Sequence, residues 1–317
     1  MNLFFASCGG VGDLVFNMVV VDEMKNLNPN SKIIFGIKNK ALKPIIELNP
    51  NIDEIVPYPY LGNGTLKSFK EEELKLKSKY DQVILFNLTA KTRNKWKLKI
   101  ERWVQKKGWN ADRRHILQRY ADIAGVKLEN KKPKFYYDQK DQSIANDFLK
   151  ENGISENDFV VMVAHTTAGA RFLRNWPIEK FEQLVSRITK NFCCKVIATG
   201  TKDDPVLNVD SVVHALGFPL RPTACLIKRS NLFIGMDSGL THIAGCFKCG
   251  IVSIHSGYPI FETGSLSDSA TIVYKGPFKK PEIISVDEVY KAVSDRISKT
   301  LEGKLKYKVS LLRSDRL

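Results

Sequence analysis

Leu3-Phe4-Phe5-Ala6-Ser7-Cys8-Gly9-Gly10-Val11-Gly12-Asp13 opens the chain, and its reading decides the fold. The short apolar run Leu3 to Ala6 reads as a strand. Glycines follow at the point where the chain must turn, and an apolar-periodic stretch from Leu14 to Leu27 then reads as a helix broken by Asn28-Pro29. Strand, glycine loop and helix begin a parallel β-α-β unit, and the pattern continues outward from there. Strands are expected at Lys32 to Ile37, Ile52 to Val56 and Asp81 to Phe86, with helices at Ala41 to Leu48, Leu66 to Lys79 and His115 to Ala124. Lys131-Lys132-Pro133-Lys134 interrupts the alternation between Asn130 and Asp141. It restarts with a helix near Ile144 to Asn152, strands Phe159 to Ala164, Cys194 to Thr199, Leu232 to Met236 and Ile251 to His255, and helices from Pro177, Ala224 and Thr241. Such alternation predicts an α/β protein of two Rossmann-like domains, residues 1–140 and 141–317, with the last amphipathic helix, Val286 to Leu301, able to pack back on the first.

The bulk numbers agree with this. A chain of 317 residues, 43% hydrophobic and 26% charged, is comfortable for two globular domains. No run approaches the roughly eighteen apolar residues of a membrane span, and the N-terminus lacks the basic lead of a signal peptide. The six cysteines form no dense framework, which points to reduced thiols in the cytoplasm. Cys193-Cys194 reads as part of a buried strand. Cys246 and Cys249 have CxxC spacing but no second ligand pair for zinc, and they lie inside a helix or end it rather than open it. The net charge of +15 favours an anionic partner: a phosphorylated substrate, an acidic membrane face or nucleic acid. Charge is densest from Lys91 to Arg114, interleaved with Trp96, Trp103 and Trp109, and in the tail from Lys299 to Arg316.

In open α/β sheets ligands bind beyond the carboxyl ends of the strands, so three loops carry the chemistry. The first, Gly9 to Asp13, is no dinucleotide fingerprint: Val15 stands where G-x-G-x-x-G needs its third glycine, and Gly36 to Lys40 offers no acid after the second strand. Gly10 and Gly12 allow a close backbone approach. Asp13 is either a helix-start carboxylate or a general base for a sugar hydroxyl. The second loop, His165 to Pro177, holds Thr166, Thr167, Arg171 and Arg174 before a helix, a set suited to a diphosphate, or else a solvated loop with Trp176 packed against the helix. In the third, Asp237-Ser238-Gly239-Leu240-Thr241-His242, Ser238, Thr241 and free backbone N–H groups can meet phosphate oxygens, Gly239 allows a close approach, and Asp237 can accept from ribose or sugar hydroxyls. His242 is a phosphate donor or a packing residue. Asp203-Asp204 reads as a solvated turn, and His115, His214 and His255 show no ligand spacing.

Taken in order, these loops resemble glycosyltransferase family nine, the ADP-heptose:lipopolysaccharide heptosyltransferases. The likeness rests on Cys8-Gly9-Gly10-Val11-Gly12-Asp13-Leu14, on Arg174-Asn175-Trp176-Pro177, on Ile197-Ala198-Thr199-Gly200 and, most specifically, on Asp237-Ser238-Gly239-Leu240-Thr241-His242-Ile243-Ala244. It implies two Rossmann-like domains facing a cleft (GT-B type) and an inverting transfer without metal or cofactor. The donor would be a nucleotide-sugar, ADP-heptose by the family, and the acceptor an anionic glycan or lipid-linked lipopolysaccharide core. The implied setting is cytoplasmic, with peripheral contact on the anionic inner membrane face. By resemblance Asp13 is the catalytic base. Arg174 then takes the phosphate-binding place and Asp237, Ser238, Gly239 and His242 match donor-binding positions; the loop chemistry adds Thr166, Thr167 and Thr241 to the donor set and Gly10 and Gly12 to the acceptor loop. Three departures stand out: Gly9-Gly10 replaces the family's serine, no proline follows Asp13, and Gly250 to Gly257 carries Gly for Pro and His255 for an aromatic. A non-catalytic nucleotide-sugar-binding protein and, less favoured, a nucleic-acid-binding protein are the alternatives.

Overall fold

The computed structural model describes residues 1–7, 9–58, 66–86, 114–166, 174–277 and 279–314, the side chains at 66–70 and 302–314 apart. The Lys91 to Arg114 block, save Arg114 itself, and Thr167 lie outside the described residues. The chain divides into two units: Met1–Asp138 with Pro259–Leu266, and Gln139–Tyr258 with Ser267–Leu317.

The first unit runs β1 (Asn2–Ser7), α1 (Val11–Leu27), β2 (Lys32–Ile37), a 3-10 turn (Lys40–Ile45), β3 (Glu54–Pro57), α2 (Leu66–Lys79), β4 (Gln82–Phe86) and α3 (Ile116–Ala124). Its strands are parallel in the order β3-β2-β1-β4. β1 is an interior strand, paired on both sides, which is why Leu3 to Ala6 are apolar without alternation; Phe5 stacks between Phe35 and Phe86 at 6.3 and 5.9 Å. α1 is buried at every position from Leu14 to Val21, as a helix apolar all round must be. It packs on β1, α3 and the 3-10 turn. One of those buried positions is polar: Asn17 is 0% exposed, and among the described residues neither of its amide atoms has a hydrogen-bond partner. α3 stops at Gly125, whose φ of 71° is the left-handed conformation that ends helices.

The second unit runs α4 (Gln139–Glu151), β5 (Val160–Ala164), α5 (Ile178–Asn191), β6 (Lys195–Gly200), β7 (Val212–Leu216), α6 (Leu220–Arg229), β8 (Leu232–Met236), α7 (Gly239–Ala244) and β9 (Gly250–His255). The short helix α8 (Ile260–Thr263) lies in the segment that belongs to the first unit, and the chain returns for β10 (Ala270–Tyr274) and α9 (Val286–Ser314). The parallel sheet has the order β10-β9-β8-β5-β6-β7. Counted from its own first strand this is 3-2-1-4-5-6 read backwards, the doubly wound nucleotide-binding order, whose switch point falls between β5 and β8. Trp176 anchors one face: it is 1% exposed, donates from Nε1 to the Ile284 carbonyl at 2.9 Å and meets Phe181 edge-on. Fully burying a side chain such as Phe181 contributes roughly 1.5–3 kcal/mol. α9 begins with a reciprocal cap: the Ser285 N–H donates to Glu288 Oε2 at 3.0 Å, and the Glu288 N–H to Ser285 Oγ at 3.3 Å. Its Val289, Val293 and Ile297, one turn apart, lie in this unit's core.

Several expectations need correction. β7 and β10 were not expected, because both are edge strands with half-exposed side chains and lack the unbroken apolar runs of β5 and β8. Cys193 is exposed and precedes β6 rather than lying in a buried strand. Helix α6 starts at Leu220, four residues before the expected Ala224, after the turn-forming Gly217 and Pro219.

Candidate functional site

In the first unit Gly10 caps α1 and Asp13 is its third residue. The Asp13 carboxylate folds back over the loop. Its Oδ2 accepts from the Gly10 N–H at 2.9 Å, and its Oδ1 accepts from the Tyr120 hydroxyl at 2.5 Å. This explains the glycine at position 9. A Cβ on Gly9 would lie 2.2 Å from the Asp13 Cβ, whereas one on Gly10 would meet nothing within 4 Å. The close approach is therefore at Gly9, not at Gly10 as the sequence suggested. Tyr120, on α3, is 1% exposed and packs its ring against Phe86 at 5.3 Å. At the start of the same helix the His115 Nδ1 accepts from the Leu117 N–H, so Nε2 carries the proton and donates to the Gly264 carbonyl at 3.0 Å. One turn on, Arg119 pairs with Glu262 at 2.9 Å.

In the second unit the groups converge on the switch point. Asp237 ends β8 and is 3% exposed. Its carboxylate lies 3.5 Å from Arg174 Nη2, 3.6 Å from His242 Nε2 and 3.9 Å from His255 Nε2. Burial alone would raise its pKa, but the His242 hydrogen bond and, over the acidic range in which this carboxyl titrates, the charges on His255 and Arg174 outweigh burial and hold it at about 2. Burial lowers the pKa of His255 more than Asp237 raises it, so this ring is held neutral at pH 7. Its Nε2 hydrogen-bonds with the Tyr258 carbonyl at 3.1 Å. Arg174 is thus the standing positive charge beside Asp237. Its guanidinium lies over the Tyr258 ring at 4.5 Å and donates from Nη1 to the Asp237 carbonyl at 3.2 Å. Among the described residues, Arg174 Nε and the Ser238 hydroxyl are buried without a hydrogen-bond partner.

Sequence reasoning grouped Arg174, Asp237, Ser238 and His242, and the structure brings them together. Thr241 differs: it is 1% exposed and its hydroxyl donates to the Met236 carbonyl, fixing the loop from within. His255 and Tyr258 were missed; no local spacing marks them, and only the register of β9 beside β8 brings His255 to Asp237. Asp204 corrects the solvated-turn reading of Asp203-Asp204. Asp203 is exposed, but Asp204 is 7% exposed. It accepts from the Thr201 N–H at 2.6 Å and from the Thr166 hydroxyl. Thr166 is thus held by a carboxylate from the loop after β6. Beside it the His165 Nε2 hydrogen-bonds with the Pro205 carbonyl at 2.6 Å, and burial lowers its pKa. In the Cys246–Cys249 pair, burial pushes the Cys249 thiol up to about 11, opposite to the lowered pKa of a redox-active thiol. Among the described residues no group of three or more His, Cys, Asp or Glu is placed to hold a metal ion, and no helix is long and apolar enough to cross a membrane.

Chemically, the second site offers a guanidinium, an unpaired buried hydroxyl and an imidazole around a fixed carboxylate, a set that can hold a phosphorylated ligand. The family model for glycosyltransferase family 9 (heptosyltransferase) matches residues 77–291. The lipooligosaccharide heptosyltransferase 2 of Haemophilus influenzae is 22% identical over 314 residues, covering 86% of this chain and 88% of that protein. Among solved structures, a family 9 glycosyltransferase from Veillonella parvula superposes with a TM-score of 0.71 at 19% identity, over 94% of this chain and 97% of that one. The Escherichia coli ADP-heptose LPS heptosyltransferase II gives 0.68 at 14% identity, over 96% and 100%.

Proposed function

Because the chain belongs to glycosyltransferase family 9, we propose that it transfers a heptose from ADP-heptose to an anionic, lipid-linked core glycan, with inversion at the anomeric carbon and without a metal ion. The observation that carries this reading is the Arg174–Asp237–His242 cluster at the switch point of a 3-2-1-4-5-6 sheet. The donor's diphosphate lies against Arg174, the Ser238 hydroxyl and His242. Arg174 Nε and Ser238 Oγ, both buried and unpaired among the described residues, donate to its oxygens. Asp237 fixes the guanidinium and the imidazole before the ligand arrives, so their dipoles need little rearrangement as charge builds on the departing nucleotide. Thr166 follows β5 at the same strand end, Thr167 is assigned to the donor with it, and Gly239 lets the nucleotide approach the backbone. Arg174 supplies the positive charge that a divalent ion supplies in metal-dependent transfer. Asp13 accepts the proton of the acceptor hydroxyl as that oxygen attacks the anomeric carbon, with Gly10 at the cap and Gly12 in the first turn of α1 shaping the acceptor's approach. The net charge of +15 supports an anionic acceptor and peripheral contact with the cytoplasmic face of the inner membrane.

The test is a pair of measurements on wild type and Asp13→Asn. ADP at a hundredfold its Kd should stabilise both proteins by about 2.7 kcal/mol. Transfer should fall by about 10²–10⁴ in the variant, the usual contribution of a general base. Near-normal transfer by Asp13→Asn would remove the base assignment. Stabilisation by UDP or GDP but not by ADP would remove the adenine nucleotide.

A further inference from the structure

We infer that Tyr120 is the positioning residue for Asp13, an assignment that rests on Asp13 being the base. Three observations carry it. First, the Tyr120 hydroxyl donates to Asp13 Oδ1 at 2.5 Å, across 107 positions of sequence. A buried tyrosine hydroxyl needs a partner, and this one takes a half-buried carboxylate at the open end of α1. Second, the other carboxylate oxygen is held by the Gly10 N–H at 2.9 Å. One bond alone leaves an aspartate free to turn about its side-chain torsions; two bonds, one to each oxygen, fix the plane of the carboxylate. Third, the loop is cut away to allow this pose: a Cβ on Gly9 would lie 2.4 Å from the Asp13 Cγ. A helix-start aspartate that merely capped the Gly10 N–H would need neither the phenol nor the bare glycine.

The pose leaves the chemistry open. Each carboxylate oxygen has two lone pairs, so Oδ1 and Oδ2 both keep one for an acceptor hydroxyl after these bonds are made. Tyr120 is itself fixed by its ring contact with Phe86 at the end of β4 and by its place on α3. The base is therefore aimed by the body of the unit rather than by its own loop.

The experiment is a double-mutant cycle in the full-length protein, measuring kcat and donor KM for wild type, Tyr120→Phe, Asp13→Asn and the double variant. Phenylalanine keeps the ring against Phe86 and removes only the hydroxyl. Tyr120→Phe should lower kcat tenfold or more with donor KM unchanged, and should cost nothing further in the Asp13→Asn background. Unchanged kcat in Tyr120→Phe overturns the inference. So does an equal loss in both backgrounds, which is the mark of a purely structural residue. Near-normal kcat in Asp13→Asn is a different failure, that of the base reading, and takes the inference with it. Should Tyr120→Phe not fold, 3-fluorotyrosine at position 120 keeps the shape and strengthens the donor. It should alter kcat when Asp13 is present and leave it unchanged in Asp13→Asn; a constant kcat in both overturns the inference.

Discussion

Arg174 shows what a single side chain has to balance. It offsets a carboxylate that is 3% exposed, stacks on Tyr258 and keeps Nε without a partner among the described residues. Arg174→Ala should weaken nucleotide binding at least tenfold, about 1.4 kcal/mol. It should also lower Tm, because Asp237 loses its standing positive charge. Adding Asp237→Asn should recover part of the Tm and none of the affinity. Calorimetric titration with ADP checks the first point, and a Kd within twofold of wild type would exclude Arg174 from the site. Arg174, Asp237, Ser238 and His242 were legible in the sequence because they sit in two short motifs. Tyr120, Asp204 and His255 were not. Each acts on a residue brought near by the sheet or by helix packing: Asp13 for Tyr120, Thr166 for Asp204 and Asp237 for His255. No local spacing carries that information.

At the scale of elements, burial on both faces decided what could be read. β5 and β8 are buried at all their positions, and their runs Val160–Ala164 and Leu232–Met236 are unmistakable. The edge strands β7 and β10 are half-exposed along most of their length and resemble loops. α1 adds a test. Asn17 sits in its buried stretch with both amide atoms unpaired among the described residues, and leaving a buried polar group unsatisfied costs about 1–3 kcal/mol. Asn17→Leu, similar in size, should therefore raise the unfolding free energy by an amount of that order in denaturant titration. Equal or lower stability would mean the amide is satisfied in solution by a partner that the leucine cannot replace.

At the scale of the molecule, the two α/β units were legible from alternation alone, but their covalent division was not: residues 259–266 belong with the first unit although the second surrounds them in sequence. The titration of the second unit sets a global property. His165 and His255 both have pKa values lowered by burial. His165 faces Asp204, His214 and Glu182; His255 faces Asp237, His242 and Arg174. A lowered folded-state pKa means the unfolded chain binds more protons below about 6.5, so stability should be full above that pH and fall as pH drops. Each histidine adds up to about 1.4 kcal/mol per pH unit. Asp237, at about 2 when folded, loses its contribution only below its ordinary value of 3.8 and does not act in this window. Tm measured from pH 8 to pH 5 should decline below pH 6.5, and less steeply in His255→Gln. A flat wild-type profile would show that the two rings charge without penalty.

The segment 259–266 leaves the second unit and is gripped in the first by the His115 bond to Gly264 and the Arg119–Glu262 pair. That stitch bears on any attempt to exchange donor specificity between family members by recombination. A chimaera joined only at 138/139 would bring in a foreign segment 259–266 opposite a native His115 and Arg119. A clean graft needs junctions at 138/139, 258/259 and 266/267, so that the inserted gene is two pieces with the host's own stitch kept between them.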